Sequence, residues 1–184
     1  MLPLITTRRL RLRPLTESDL PAYQALITDS RVSVPAGLTQ PLTDQQALAS
    51  LVADRQQPVS YAVVWPTTNR LIGTVMGYEH SDTTGAPDAT ALDLGYLLAP
   101  AYWGQGLMPE ALAGWLATLP TTFPALTTVW AASLATNRRS QQVLIKSAFE
   151  LIDDQMMAPI GGSWELQRQF LYRLTLKHEK IMSK

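Results

Sequence analysis

The stretch Tyr102-Trp103-Gly104-Gln105-Gly106-Leu107-Met108-Pro109-Glu110-Ala111 decides how the rest of the chain is read. Gly104 and Gly106 permit positive φ and close approach of the backbone to a ligand, and Pro109 suits the first turn of the helix that follows. Leu112, Trp115, Leu116 and Leu119 recur at helical spacing, so one face of that helix is buried and its start is held at a fixed angle. Unpaired N–H groups and the positive end of the helix dipole then converge over Gly104, Gln105, Gly106, Leu107 and Met108, an arrangement that favours a phosphate group. A Gly-x-Gly pair is also compatible with a plain tight turn into a helix.

Upstream, Ala91-Leu92-Asp93-Leu94-Gly95-Tyr96-Leu97-Leu98 alternates apolar and small or acidic residues and runs directly into the glycines. Earlier still, Leu10 and Leu12 alternate with Arg9, Arg11 and Arg13, predicting a half-buried strand whose arginines form a solvated face. Thr16 heads a helix with Leu20, Tyr23, Leu26 and Ile27 as its stripe. Thr43 or Asp44 caps a second, with Ala47, Leu48, Leu51 and Val52 inward. Strands are expected over 61–64 and 71–78 with a turn at 66–69, then a strand over 127–132 and a helix over 137–147. A closing hairpin is expected from 149–157 and 164–174, its turn marked by Pro159, Gly161 and Gly162. Trp164, Phe170 and Tyr172 on its last strand read as core, with a dimer seam as the alternative. The expected architecture is an α/β (α+β) fold: a mixed, mostly antiparallel sheet of about seven strands with helices on both faces, in the order β-α-α-β-β-β-α-β-α-β-β.

No linker composition divides the 184 residues, so a single domain over 1–184 is expected. Fifteen basic residues balance fifteen acidic ones, which argues against a broad footprint for nucleic acid or an anionic membrane. The chain has no cysteine and only His80 and His178, which argues against disulfides, a cysteine nucleophile and a metal centre. The opening residues lack the order of a secretory signal, and the expected location is the cytoplasm.

The strand-glycine-helix unit, the order of elements and the later helix headed by Asn137 together resemble the GNAT acyltransferase superfamily, whose members bind acetyl-CoA and acetylate amines. Thr7-Arg8-Arg9-Leu10-Arg11-Leu12-Arg13-Pro14-Leu15, Gly95-Tyr96 ahead of the glycines, and Asn137-Arg138-Arg139-Ser140 look like its RimJ/RimL-type branch, named for N-terminal acetylation of ribosomal proteins. The usual Arg/Gln-x-x-Gly-x-Gly/Ala cradle is altered here, with Trp103 first and Met108 last, yet Met108 keeps the backbone N–H that contacts phosphate. Leu144 stands where the common tyrosine general acid would be, so another proton donor is required.

The resemblance implies acetyl-CoA as cosubstrate, no metal, and an opening of the strand near Leu97 and Leu98 whose backbone N–H groups hold the pantetheine arm and thioester oxygen. It implies that Asn137, besides capping its helix, holds the CoA arm, and that Ser140 is positioned to protonate the leaving sulfur. Asp93 matches an acidic position of the branch and is a candidate acceptor for the amine proton, or else an ordinary solvated or ion-paired acid. Glu79 and His80 are alternatives on the substrate side. The acceptor this implies is a primary amine, on a protein N-terminus or a small molecule, attacking directly in a ternary complex, and the expected state is a monomer or homodimer. A non-catalytic acyl-CoA-binding module or sensor is the competing expectation, motivated by Leu144, and a mononucleotide-binding protein is disfavoured by the missing P-loop lysine.

Overall fold

Alternation along the chain becomes one eight-stranded sheet in the computed structural model, which describes residues 2–38, 43–159 and 164–177. Its strands are β1 (Ile5–Thr6), β2 (Arg11–Pro14), β3 (Val59–Val64), β4 (Leu71–Ser81), β5 (Pro87–Leu98), β6 (Thr128–Leu134), β7 (Glu150–Pro159) and β8 (Leu166–Thr175). They lie side by side in the order β1-β2-β3-β4-β5-β6-β8-β7. Every pair is antiparallel except β5 with β6. The helices are α1 (Leu20–Thr28), α2 (Ser30–Ser33), α3 (Asp44–Arg55), α4 (Leu107–Thr122) and α5 (Arg138–Lys146).

The eighth strand is β1. The Thr7 N–H donates to the Leu10 carbonyl at 2.9 Å and folds the first residues into a hairpin, with Ile5 opposite Leu12. A two-residue strand is too short to reveal itself by alternation.

Register fixes which side chains share a face. Val59, Tyr61, Val75, Leu92 and Leu94 pack with α4 and α5, whereas Ala62, Val64 and Leu71 pack with α1, α2 and α3. Because neighbours alternate along a strand, Tyr78 and its partner Asp93 fall on the α1–α3 face. Glu79 and its partner Leu92 fall on the other.

Several expectations about exposure are corrected. Only Ala47 and Leu51 of α3 are buried; Leu48 and Val52 face outward because one narrow stripe suffices to seat the helix on α1. Of the three late aromatics only Tyr172 is buried, Phe170 is half-buried, and Trp164 is 96% exposed ahead of β8. Gly161 and Gly162 lie outside the described residues. Arg9 and Arg13 do not form a solvated face: Arg13 pairs with Asp19 at 2.7 Å, and Arg9 pairs with Glu110 at 2.7 Å.

The second of these pairs sets the start of α4. The Thr7 hydroxyl and the Arg9 N–H both donate to Glu110 Oε1 at 2.7 Å, Arg9 Nε donates to Oε2 at 2.7 Å, and Arg9 Nη1 reaches the Gln105 carbonyl at 3.0 Å. One carboxylate in the first turn of α4 thereby ties the glycine loop to the β1–β2 hairpin. Burial alone would raise the Glu110 pKa, but the donors from Thr7 and Arg9 outweigh it and hold the carboxyl below its ordinary value.

A carboxyl depressed in the folded state stabilises above its unfolded pKa of about 4.3 and loses that contribution as pH falls through the folded value. Glu110→Ala is expected to lower stability at pH 7 by roughly 1.5–3 kcal/mol, the scale of hydrogen bonding to a charged group. Denaturant titrations of both proteins at pH 7 and pH 3 check this. The gap between them should narrow in acid.

Candidate functional site

β5 and β6 pair over only three positions, Ala91 with Thr128, Leu92 with Val129 and Asp93 with Trp130. Beyond them the strands part, while β5 stays paired to β4 as far as Leu98. The Ala99 N–H donates to the Ile72 carbonyl at 2.8 Å. Alternation along an antiparallel ladder then turns the Leu97 N–H toward β4 and the N–H groups of Tyr96 and Leu98 toward the gap. The two leucine side chains divide as well, Leu97 packing with the α1–α3 core and Leu98 with the α4–α5 core.

The gap opens into a cleft of about 1020 Å³ that reaches both faces of the sheet. At one end lies the glycine loop. Gly104 and Gly106 have φ of 74° and 70°, and Gly106 is the residue that starts α4. A Cβ on either would meet no close neighbour, so the backbone conformation itself is what calls for glycine. The N–H groups of Gly106, Leu107 and Met108 have no partner among the described residues. Such a start of a sixteen-residue helix can receive an anion. Gln105 turns its side-chain amide back to the Ala101 carbonyl at 3.1 Å, leaving only its backbone to serve the cradle.

Trp103 and Arg139 complete this end. Trp103 Nε1 donates to the Leu98 carbonyl at 2.7 Å, supplying the partner that β6 would otherwise provide. The Arg139 guanidinium lies 4.7 Å from the Trp103 ring centroid, a cation stacked beside the loop. Nothing local in the sequence assigns Arg139 a role of its own; a basic pair directly behind a helix-capping asparagine is the available signal.

Asn137 Oδ1 accepts from the Ser140 N–H at 3.1 Å, which caps α5, and its Nδ2 donates to the Pro35 carbonyl at 3.0 Å. Ser140 follows one turn later. Its Oγ lies 2.8 Å from the Tyr96 hydroxyl, which is also 3.1 Å from the Ser140 carbonyl. Burial pushes the Tyr96 phenol well above its ordinary pKa, so it stays protonated. In the sequence Tyr96 alternates along a strand and helps carry the resemblance, but nothing there links it to Ser140. Its hydroxyl finds Ser140 because β5 and α5, with the two residues 44 apart in the chain, meet on the α4–α5 face. Leu144, fully buried in that same core, is a packing residue.

On the opposite face, His80 Nδ1 lies 2.9 Å from Asp93 Oδ1, and the His80 ring stacks on Trp130 at 5.7 Å. Asp93 and His80 therefore form a pair, where the sequence offers them as alternatives. A neutral His80 that donates from Nδ1 to the Asp93 carboxylate is the tautomer that keeps its lone pair on Nε2. Glu79 is exposed on the other face of the sheet and is not brought to them.

Further along the α1–α3 face, Tyr23 donates to Asp54 Oδ2 at 2.7 Å and Tyr78 to Oδ1 at 3.4 Å. A Cβ on Gly95 would sit 2.8 Å from the Tyr78 ring, so the missing side chain lets that ring lie flat on β5 at the edge of the gap. Burial first, and then the charge of Asp54, raise the pKa of both phenols.

The acetyltransferase (GNAT) domain family matches residues 9–150. Among curated proteins, the chain is 23% identical over 155 residues to the uncharacterized N-acetyltransferase YoaA of Bacillus subtilis, covering 82% of this chain and 84% of that one. A GNAT-family acetyltransferase from Bacillus anthracis superposes with a TM-score of 0.81 at 17% identity, over 94% of this chain and 98% of that one. The Salmonella typhimurium acetyl transferase that modifies the N-terminal serine of ribosomal protein L7/L12 gives 0.74 at 18% identity, over 95% and 100%. Spermidine N-acetyltransferase from Vibrio cholerae, in complex with CoA and spermine, gives 0.73 at 14% identity, over 91% and 96%. These three structures share the fold. Among the described residues no helix is long and apolar enough to cross a membrane, and no group of three His, Cys, Asp or Glu could hold a metal ion.

Tyr23, Tyr78 and Tyr96 keep their protons in the folded state where an unfolded tyrosine loses its own near pH 10. Groups raised on folding stabilise below the unfolded pKa and lose that contribution as pH rises above it. Absorbance titration of the native protein should therefore leave these three phenols un-ionised at about pH 11, and stability should fall steadily above about pH 10.

Proposed function

This chain belongs to the acetyltransferase (GNAT) family, and on that premise we propose that it transfers the acetyl group of acetyl-CoA to a primary amine by direct attack in a ternary complex. It is an acyltransferase. The observation that carries the finer reading is the parted pair β5–β6, which gives a thioester access to both faces of one sheet at once. Acetyl-CoA supplies the acetyl group as a thioester. The free N–H groups of Gly106, Leu107 and Met108, with the Arg139 guanidinium beside them, suit its pyrophosphate and phosphate oxygens. The N–H groups of Tyr96 and Leu98 suit the pantetheine arm and the thioester oxygen.

Roles then divide by face. Asp93, paired with His80 on the α1–α3 face, takes the proton the amine loses as its nitrogen bonds to the acetyl carbon. Ser140, on the α4–α5 face, delivers a proton to sulfur as the carbon–sulfur bond breaks. When Tyr96, kept protonated, turns its proton from the Ser140 carbonyl to Ser140 Oγ, that serine's own proton is free for the sulfur. Asn137 positions Ser140 by capping α5, and exchanging its bond to Pro35 would let it contact the CoA arm. Without a cysteine the protein has no thiol to carry the acetyl group through a covalent intermediate. The three sequence segments typical of the RimJ/RimL-type branch and the likeness to the Salmonella enzyme support an N-terminal amine as acceptor, and the likeness to the Vibrio enzyme supports a small amine.

Calorimetric titration is expected to show acetyl-CoA binding and no comparable binding of ATP. Ser140→Ala and Asp93→Asn should each leave that affinity within about threefold while lowering kcat by about 10²-fold, the scale of general acid–base catalysis. Folded protein that fails to bind acetyl-CoA would end this reading. Unchanged kcat in both variants would end the role assignments.

A further inference from the structure

Asp54 is a half-buried carboxylate with no cationic partner among the described residues. Its two hydrogen bonds come from neutral phenols, Tyr23 of α1 and Tyr78 of β4. Arg31 is a cation lining the same cleft, and Asp29 holds it at 2.6 Å. Leaving a carboxylate partly desolvated without a counter-charge costs stability, and Asp54 responds as expected, with burial raising its pKa. The side chain lines the cleft rather than the closed core.

Its surroundings define what would complete it. Ile27, Val32 and Met76 line the cleft on the same face and are apolar. The Tyr78 ring spans the distance between Asp54, which its hydroxyl contacts, and Gly95 of β5, on which it lies. Asp54 is thus connected by a single side chain to the strand that borders the gap.

We propose that Asp54, held by Tyr23 and Tyr78, is the binding site for the ammonium group of the acceptor, and that the acceptor is a compact primary amine with an apolar substituent. This rests on the acetyltransferase reading for its biological meaning. The ammonium supplies the missing counter-charge and donates hydrogen bonds to the carboxylate, while the substituent lies against Ile27, Val32 and Met76. Asp54 acts here as a binding residue: the ammonium first releases one proton to the solvent of the open cleft, which frees the nitrogen lone pair, and the second proton, lost as nitrogen bonds to the acetyl carbon, goes to Asp93 beside His80.

The test is calorimetric titration of the whole protein with 2-phenylethylammonium, with and without CoA, using 2-phenylethanol as a neutral control. Saturable binding of the ammonium is expected, weakened at least tenfold in Asp54→Asn and several-fold in Tyr78→Phe, while the alcohol binds the wild type and Asp54→Asn alike. Asp54→Asn preserves the side chain's shape and removes a buried charge, and its melting temperature confirms folding. Equal ammonium affinity in wild type and Asp54→Asn, or no ammonium binding by the wild type in either condition, would overturn the proposal. The titration with CoA alone reads the acetyltransferase assignment separately, so the two can fail independently.

Discussion

Two neighbouring strands that separate in the middle of a sheet leave backbone groups that must find other partners, and this constraint governs how the molecule is put together. β5 and β6 share three paired positions before they part. The carbonyl of Leu98, denied a strand partner, is met by the indole of Trp103. Tyr96, whose side chain leaves the sheet at the same place, is met by Ser140 from α5. Trp103 follows β5 in the chain and Ser140 follows β6, so the residues immediately after the two parted strands are engaged in satisfying what the separation exposes. The N–H groups that receive no substitute are those that face the cleft.

Strength elsewhere makes this possible. β4 and β5 remain paired in unbroken register from Leu92 to Leu98, and β8 holds β6 from its far side. The glycine loop would otherwise be a free turn on an open edge. It is instead fixed by Glu110, whose donors lie 101 and 103 residues earlier in the chain. A long-range carboxylate bond of this kind orders the loop before any ligand arrives, so less ordering entropy opposes binding.

The architecture was legible in the sequence wherever periodicity ran on for several residues. Alternation located β3, β4, β5 and β6, and the helical stripe of Leu112, Trp115 and Leu119 located α4. The glycine pair was legible because positive φ leaves a compositional mark. What was hidden depended on distance. The Arg9–Glu110 and Arg13–Asp19 pairs turn an apparently solvated basic face into joints between elements, and no local pattern announces them. Asp93 and His80 were both visible as candidates, but only the register of β4 against β5 brings the two side chains together on one face. Asp54 sits in the last turn of α3 like any helical acid, and only the fold reveals that its neighbours are two phenols.

Asparagine and aspartate cap a helix about equally well, so an N-cap alone does not choose between them. At position 137 the choice is made 102 residues away, where the amide's second edge donates to the carbonyl of Pro35. An aspartate there would satisfy α5 and set two oxygens against each other at the contact. One nitrogen atom thus determines whether the segment after α2 and the start of α5 attract or repel, and the identity of a residue at the head of one helix is dictated by the carbonyl of another part of the chain.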